Sequence, residues 1–366
     1  KTRSVCKSLC LFNSKNYMIT NRNYNKGRRF LDPLEVESQY HTEDRSANPD
    51  LLLWIDFTDA TSLRSGNSGG AAVPLHGQTI MIAQNKSFHT PNGGAKSAGE
   101  KALCEYVIQT VTANMPTYIT TGDINYAKFS GSSFLLAAGS TSTGVGGASS
   151  SSNFSTSTID SEKFTVYIAC QRADKEGRND VLFITDNDST SDIPNHWMSF
   201  YFDDSNRGIF EMYNKDLSVG DRYRYVRYNT ADDGNFHYHM FNAYETYGNT
   251  DNYGSLQADG LFHQFSSLAT DPGMPNPKYD KIISDSSSLL EGKGGTLTHE
   301  FDFTGVNQHH ASVTIGGQPQ FGTESPTGSF QGNIYEIMVF KGEHAGPNVL
   351  DVLFFNKSFK KRWSNM

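Results

Sequence analysis

From residue 51 onward the apolar residues come in short runs of about four to eight positions, each closed by Asp, Asn or Gly, which is a strand pattern. Leu51 to Phe57 opens the series and runs into Asp56, Asp59 and a glycine-rich turn at Gly66 to Gly70. Gln78 to Gln84 follows, β-branched at Thr79, Ile80 and Ile82. Tyr126 to Leu136 and Phe164 to Gln171 read as strands. In the second, Phe164, Val166, Ile168 and Cys170 fall on one face and Thr165, Tyr167, Ala169 and Gln171 on the other. Further strands are expected at Asp180 to Ile184, His196 to Phe202, Gly208 to Tyr213, Asp221 to Tyr228, His299 to Phe303, Ala311 to Ile315 and Gly332 to Phe340. Residues 95–113 fit either one helix or a strand preceded by a loop, and residues 229–300, rich in Tyr, His, Asn and Gly, are the least regular part.

Three segments depart from this pattern. The first fifty residues show no period of 2 or 3.6 and scatter Lys1, Arg3, Lys7, Lys15, Arg22, Lys26, Arg28 and Arg29 among asparagines. Such a stretch buries little surface alone, so it is expected either to be disordered or to form an extended arm that orders against a partner. Gly139 to Ser152 is a low-complexity Ser/Gly/Thr loop. Gly346 to Trp363 carries a helical stripe, Val349, Leu350, Leu353 and Phe354, followed by Lys357, Lys360, Lys361 and Arg362 where a helix dipole favours cations.

Composition narrows the class. Only 36% of the 366 residues are hydrophobic, yet 24 Phe and 18 Tyr supply enough large side chains for a core. With 33 Gly, this describes an all-β, loop-rich chain. The net charge of −8 excludes nucleic-acid binding by bulk charge, which needs a basic face. No run of about eighteen apolar residues occurs, so membrane insertion is not expected. The chain begins at Lys1 and reads as a processed product or a fragment. Cys6, Cys10, Cys104 and Cys170 could pair in three ways, but a chain of this length needs no disulfides to fold, so they read as free thiols; Cys6 and Cys10 look like half of a zinc site, but no second pair follows at ligand spacing.

The order of several short motifs resembles the concanavalin A-like lectin/glucanase superfamily, in the LamG-like jelly-roll branch found in phage virion proteins and secreted multidomain proteins. Leu53-Trp54-Ile55-Asp56-Phe57-Thr58-Asp59-Ala60-Thr61-Ser62 is similar to that branch's opening "W-x-D-x-x-D/N-x-x-S/T" strand. Met115-Pro116-Thr117-Tyr118, with Met where Arg is common, and Tyr126 to Gly131 resemble its middle block. Phe164 to Ala169 resembles its "F-T-V-F-x-V-A" strand, and Thr314 to Gly317 with Phe330 to Phe340 resembles its closing strands. The resemblance covers about residues 51–364. It implies a concanavalin A-like jelly-roll β-sandwich over 51–366, with a loop-rich insertion at about 175–300, a C-terminal helix and an N-terminal arm over 1–50. These motifs are scaffolding, so the fold does not decide the function.

Candidate chemistry is sparse. Superfamily glucanases place carboxylates as "E-x-D-x-x-E", but the nearest string, Glu300-Phe301-Asp302, ends in Gly305. No nucleophile elbow, P-loop or His-Glu-x-x-His string occurs. An enzyme is therefore not expected. His237, His239, His309 and His310 read as inter-strand or surface polar residues, and no cofactor is expected. Asp186, Asp188 and Asp192 alternate as Ca²⁺ ligands do but lack the EF-hand glycine, so Ca²⁺ stays a minor alternative to a solvated hairpin tip. Trp197, Tyr201, Tyr244, Tyr247 and Tyr253 lie among Asp203, Asn242, Asn249 and Asn252, the mixture of stacking surface and polar groups that sugars require.

The leading expectation is thus a non-enzymatic virion structural protein of a phage or other virus, a capsid decoration or a tail or fibre component on the particle exterior. Residues 1–50 would join it to other virion proteins, in a homo-oligomer or symmetric lattice. The alternative is a secreted lectin-like adhesin or receptor-binding protein, with cell-surface glycans bound at Trp197, Tyr201, Tyr244, Tyr247 and Asn242.

Overall fold

The computed structural model describes residues 51–87, 103–104, 106–122, 124–137, 158–160, 164–173, 177–185, 195–204, 207–216, 223–229, 236–243, 263–267, 289–293, 300–302, 313–318 and 327–341. In chain order the strands are β1 (Leu51–Asp56), β2 (Leu63–Ser65), β3 (Ile80–Gln84), β4 (Tyr106–Ile108), β5 (Thr117–Thr120), β6 (Asn125–Ser130), β7 (Leu135–Ala137), β8 (Thr158–Asp160), β9 (Phe164–Arg172) and β10 (Asn179–Thr185). The rest are β11 (His196–Phe202), β12 (Arg207–Asn214), β13 (Tyr223–Asn229), β14 (Phe236–Ala243), β15 (His263–Ser267), β16 (Leu289–Lys293), β17 (Glu300–Asp302), β18 (Val313–Ile315), β19 (Gly317–Gln318), β20 (Thr327–Gly328) and β21 (Gln331–Lys341). The only helical elements among the described residues are three single 3₁₀ turns.

Two large sheets form a β-sandwich, the arrangement the jelly-roll resemblance implied for a chain whose composition pointed to the all-β class, while β8 pairs with β17 and β19 with β20 in two small sheets beside them. One sheet runs β15-β14-β9-β21-β6-β5, with β1 also paired to β21. The other has ten strands, β16-β13-β12-β11-β10-β18-β7-β4-β3-β2, and its pairs are antiparallel. The alternation read in β9 locks the layers together. Phe164, Val166, Ile168 and Cys170 enter the core between the sheets, while Tyr167 and Ala169 join a second apolar cluster on the outer side. Phe164 meets Phe210 of the opposite sheet at 5.5 Å between ring centres, and His239 lies 5.0 Å from Phe200. His239 is thus a core side chain.

One strand expectation is corrected. Tyr126 to Leu136 is not a single strand: Gly131, at φ 89°, turns the chain so that β6 pairs in the seven-stranded sheet and β7 in the ten-stranded one. The stretch 175–300 supplies β10 to β13 and β16 to the ten-stranded sheet, and β14 and β15 to the other. Its strands pair with β9 and β18, partners far away in sequence that no local pattern announces. Residues 95–113 contain, where described, strand β4. The segments 1–50, 139–152 and 346–363 lie outside the described residues.

Candidate functional site

The opening motif builds a polar latch. Asp56 Oδ1 accepts from the Thr58 N–H (3.0 Å) and hydroxyl (2.6 Å), and Ser62 Oγ donates to the Asp56 (3.1 Å) and Asp59 (2.8 Å) carbonyls. Lys86 Nζ reaches Asp56 Oδ2 at 2.9 Å and Asp59 Oδ2 at 3.1 Å, and sits 4.1 Å from the centre of the Trp54 ring. Trp54 Nε1 donates to the buried Glu336 at 2.8 Å. Burial pulls the Lys86 ammonium down, but the two carboxylates outweigh it and hold the group above its ordinary value of 10.5. Burial likewise raises Asp59, yet Lys86 and Thr61 together bring it below its ordinary 3.8. Each of these groups has its partner inside the fold, so the motif is scaffolding.

The edge of β1 is closed in the same way. Lys86 N–H donates to the Trp54 carbonyl, Trp54 N–H to Asn85 Oδ1, and Asn85 Nδ2 to the Leu52 and Cys104 carbonyls. Asn85-Lys86-Ser87 fits the glycosylation pattern, but the Asn85 amide is buried and engaged in these bonds, which removes it as a glycan acceptor in the folded protein.

A different cluster lies on the outer face of the ten-stranded sheet. Leu182, Ile184, Met198, Phe200, Phe202, Phe210 and Met212 point into the core. Strand alternation and register therefore put Phe183, Trp197, Ser199, Tyr201, Glu211 and Tyr213 on the opposite face. There Phe183, Trp197 and Tyr213 stack in a row, with successive ring centres 5.2 and 5.4 Å apart, and the half-buried Tyr213 is the most exposed of the three. Beside the row the Arg178 guanidinium lies over the Tyr201 ring at 3.7 Å and donates from Nε to Asp180 Oδ1 at 2.7 Å. Ser329 Oγ donates to Asp180 Oδ2 and accepts from the Asp180 N–H, both at 2.9 Å. Burial pushes the Asp180 carboxyl up, and the guanidinium and the Ser329 hydroxyl pull it back without cancelling the rise. At the rim Arg207 Nε donates to Asp203 Oδ2 at 2.7 Å.

The structure redistributes the sugar-site residues expected from sequence. Trp197 is 4% exposed with a ring on each face, so it backs the stack instead of offering a platform. Tyr201, 9% exposed, supports Arg178. Asn242 stands in β14 of the other sheet, opposite Thr165 and His263 in register. Tyr244, Tyr247, Tyr253, Asn249 and Asn252 lie outside the described residues, as do Asp186, Asp188 and Asp192 and the pair His309 and His310. Among the described residues no group of three metal-ligating side chains occurs. Arg178, Asp180, Glu211 and Tyr213 escaped sequence reasoning. Their only signal was the alternation within β10 to β12, which shows a site once the register aligns the three strands.

No protein-family model matches the sequence, and no curated protein does. Among solved structures, the chain is similar to the CBM40 of the Ruminococcus gnavus IT-sialidase at 13% identity, over 53% of this chain and 81% of that one, with a TM-score of 0.30. It is similar to domain 4 of AbnA, a GH43 extracellular arabinanase from Geobacillus stearothermophilus in complex with arabinotriose, at 13% identity, over 84% and 98%, with a TM-score of 0.32. For Trypanosoma rangeli sialidase the values are 8%, 86%, 33% and 0.39. Likenesses of this size carry no argument about ligand or activity.

Proposed function

We propose that this protein is a non-enzymatic glycan-binding β-sandwich whose binding surface is the outer face of the ten-stranded sheet at β10 to β12. The observation that carries the reading is the juxtaposition of the partly exposed Tyr213, backed by Trp197 and Phe183, with the polar pair Arg178 and Glu211. An aromatic ring fixed from behind gives a sugar a stacking surface at little ordering cost, and polar groups held beside it fix the hydroxyls. Support for the non-enzymatic part comes from the buried carboxylates: Asp56 faces Lys86, Asp180 faces Arg178 and Glu336 holds Trp54. On a glycan array the full chain is expected to retain a defined set of ligands. Tyr213→Ala should weaken their binding by tenfold or more while the circular dichroism spectrum stays unchanged. A blank array with folded protein would overturn the reading, and turnover of laminarin-type β-glucans would overturn its non-enzymatic part.

Location on a virion is proposed beside it, because residues 1–30 hold eight Lys and Arg and no acid in a chain of net charge −8. Such a segment suits attachment to an acidic neighbour on a particle, and the resemblance of the opening and closing motifs to domains of phage virion proteins supports the same reading. Deleting residues 1–50 should abolish incorporation into particles while the sandwich still folds. Normal incorporation of the truncated protein would exclude this attachment.

A further inference from the structure

Resting on the glycan-binding reading, we infer that the chain carries a second glycan site, on the outer face of the seven-stranded sheet at β6, β21 and β9, and that this site takes carboxylated sugars. That face changes along its length. At one end Leu51, Trp54, Tyr167, Met338 and Phe340 are buried. At the other, alternation turns Tyr126, Lys128 and Ser130 outward while Ala127 and Phe129 enter the core; Tyr126 is half-buried, and Lys128 and Ser130 are exposed. A short aromatic row stands between the two ends. Tyr335, 3% exposed, has its ring centre 5.2 Å from that of Tyr126 and 5.0 Å from that of Phe236. Tyr126 is therefore an open ring held in place by buried ones, as Tyr213 is on the other sheet.

The polar groups beside that ring lie in one line. Lys128 stands opposite Asn333, and Asn333 opposite Gln171, in register. Gln171 Oε1 accepts from Asn333 Nδ2 at 2.8 Å and from the Tyr335 hydroxyl at 3.3 Å, so both amides are oriented before a ligand arrives. Charge decides the ligand class. Across β5, β6, β9 and β21 the only acid is Glu336, which is buried and accepts from Trp54 Nε1. Lys128 thus presents its ammonium beside Tyr126 on strands with no exposed carboxylate, in a chain of net charge −8. On the ten-stranded face the Arg178 guanidinium is instead matched by Asp180 at 2.7 Å. Alternate positions along a strand are about 7 Å apart. A sugar ring stacked on Tyr126 therefore carries its carboxylate to Lys128 and its hydroxyls to the amide line.

The test is calorimetric titration of the full chain at low salt with trigalacturonate and 3′-sialyllactose, which distinguish a uronate from a sialate. At least one of the two is expected to bind. Tyr126→Ala should weaken that binding about tenfold. Lys128→Gln, a change at an exposed position that leaves the fold intact, should weaken it about two- to fivefold, and high salt should erase the difference. Tyr213→Ala should leave it unchanged, so carboxylated sugars are the exception to the loss expected on the array. If neither carboxylated sugar binds while the array shows other ligands, or if their binding is untouched by both Tyr126→Ala and Lys128→Gln, the second site is overturned and glycan binding stands. If neither binds and the array is blank as well, both readings fall together.

Discussion

Lys86→Met is expected to lower the stability of the sandwich by about 3–5 kcal/mol, the usual consequence of removing one partner from a buried ion pair. Lys86 and Asp56 are 12% and 2% exposed, so the remaining Asp56 carboxylate is left facing a methyl group with little water to compensate. Urea unfolding followed by tryptophan fluorescence reads the loss directly, since Trp54 lies under the ammonium. The double variant Lys86→Met with Asp56→Asn should recover part of it, because the stranded charge is then gone. A loss below about 1 kcal/mol would place the pair with ordinary surface bridges and refute the latch.

The latch also sets a pH window. Lys86 is held above 10.5, so its contribution is complete below that value and disappears as the pH rises through the higher folded-state value. Asp59 is held below 3.8, so its share is present above 3.8 and lost as the pH falls through the lower folded-state value. The wild-type excess of stability over Lys86→Met should therefore be flat between about pH 5 and 10 and shrink at both ends.

Gly332→Ala has the second large effect, a destabilisation of roughly 2–6 kcal/mol from about 1–3 of backbone strain and about 1–3 of overpacking. Gly332 sits at φ +150° where β21 runs between β6 and β9, and an added Cβ would collide with the Gln171 carbonyl oxygen and come within 3.0 Å of the Ala173 nitrogen. Both obstacles are backbone and cannot rotate away. Gly77, at φ +80° with nothing within 4 Å, is the control that isolates strain alone. Equal losses at the two positions in thermal melts would refute the collision.

Much of the fold was legible locally. β9 and β11 were read almost to the residue because alternation with a period of 2 survives in β9, an aromatic-rich apolar run marks β11, and polar clusters close both. The Trp54, Asp56, Asp59 and Ser62 motif was recognised, but its reason was not: Lys86, which ties its carboxylates together, lies some thirty residues further on. Tyr126 to Leu136 was misread because an apolar run looks the same whether it continues or crosses between sheets at Gly131. The candidate site shows the same limit. Trp197 and Tyr201 were chosen for their chemistry, whereas ring faces and exposure depend on Phe183, Tyr213 and Arg178, which lie elsewhere in the chain.

Local pattern was thus enough for the all-β class, the position of most strands and the residues of each strand that share a face, because these follow from backbone geometry and side-chain alternation. Which strands became neighbours emerged with the folded sheets, and with it the fact that Arg178, Glu211 and Tyr213 stand together on one outer face while Asn242 belongs to the other sheet. Strand pairing is settled by non-local hydrogen bonds and by burial of apolar faces across the sandwich, and neither is written within any one segment.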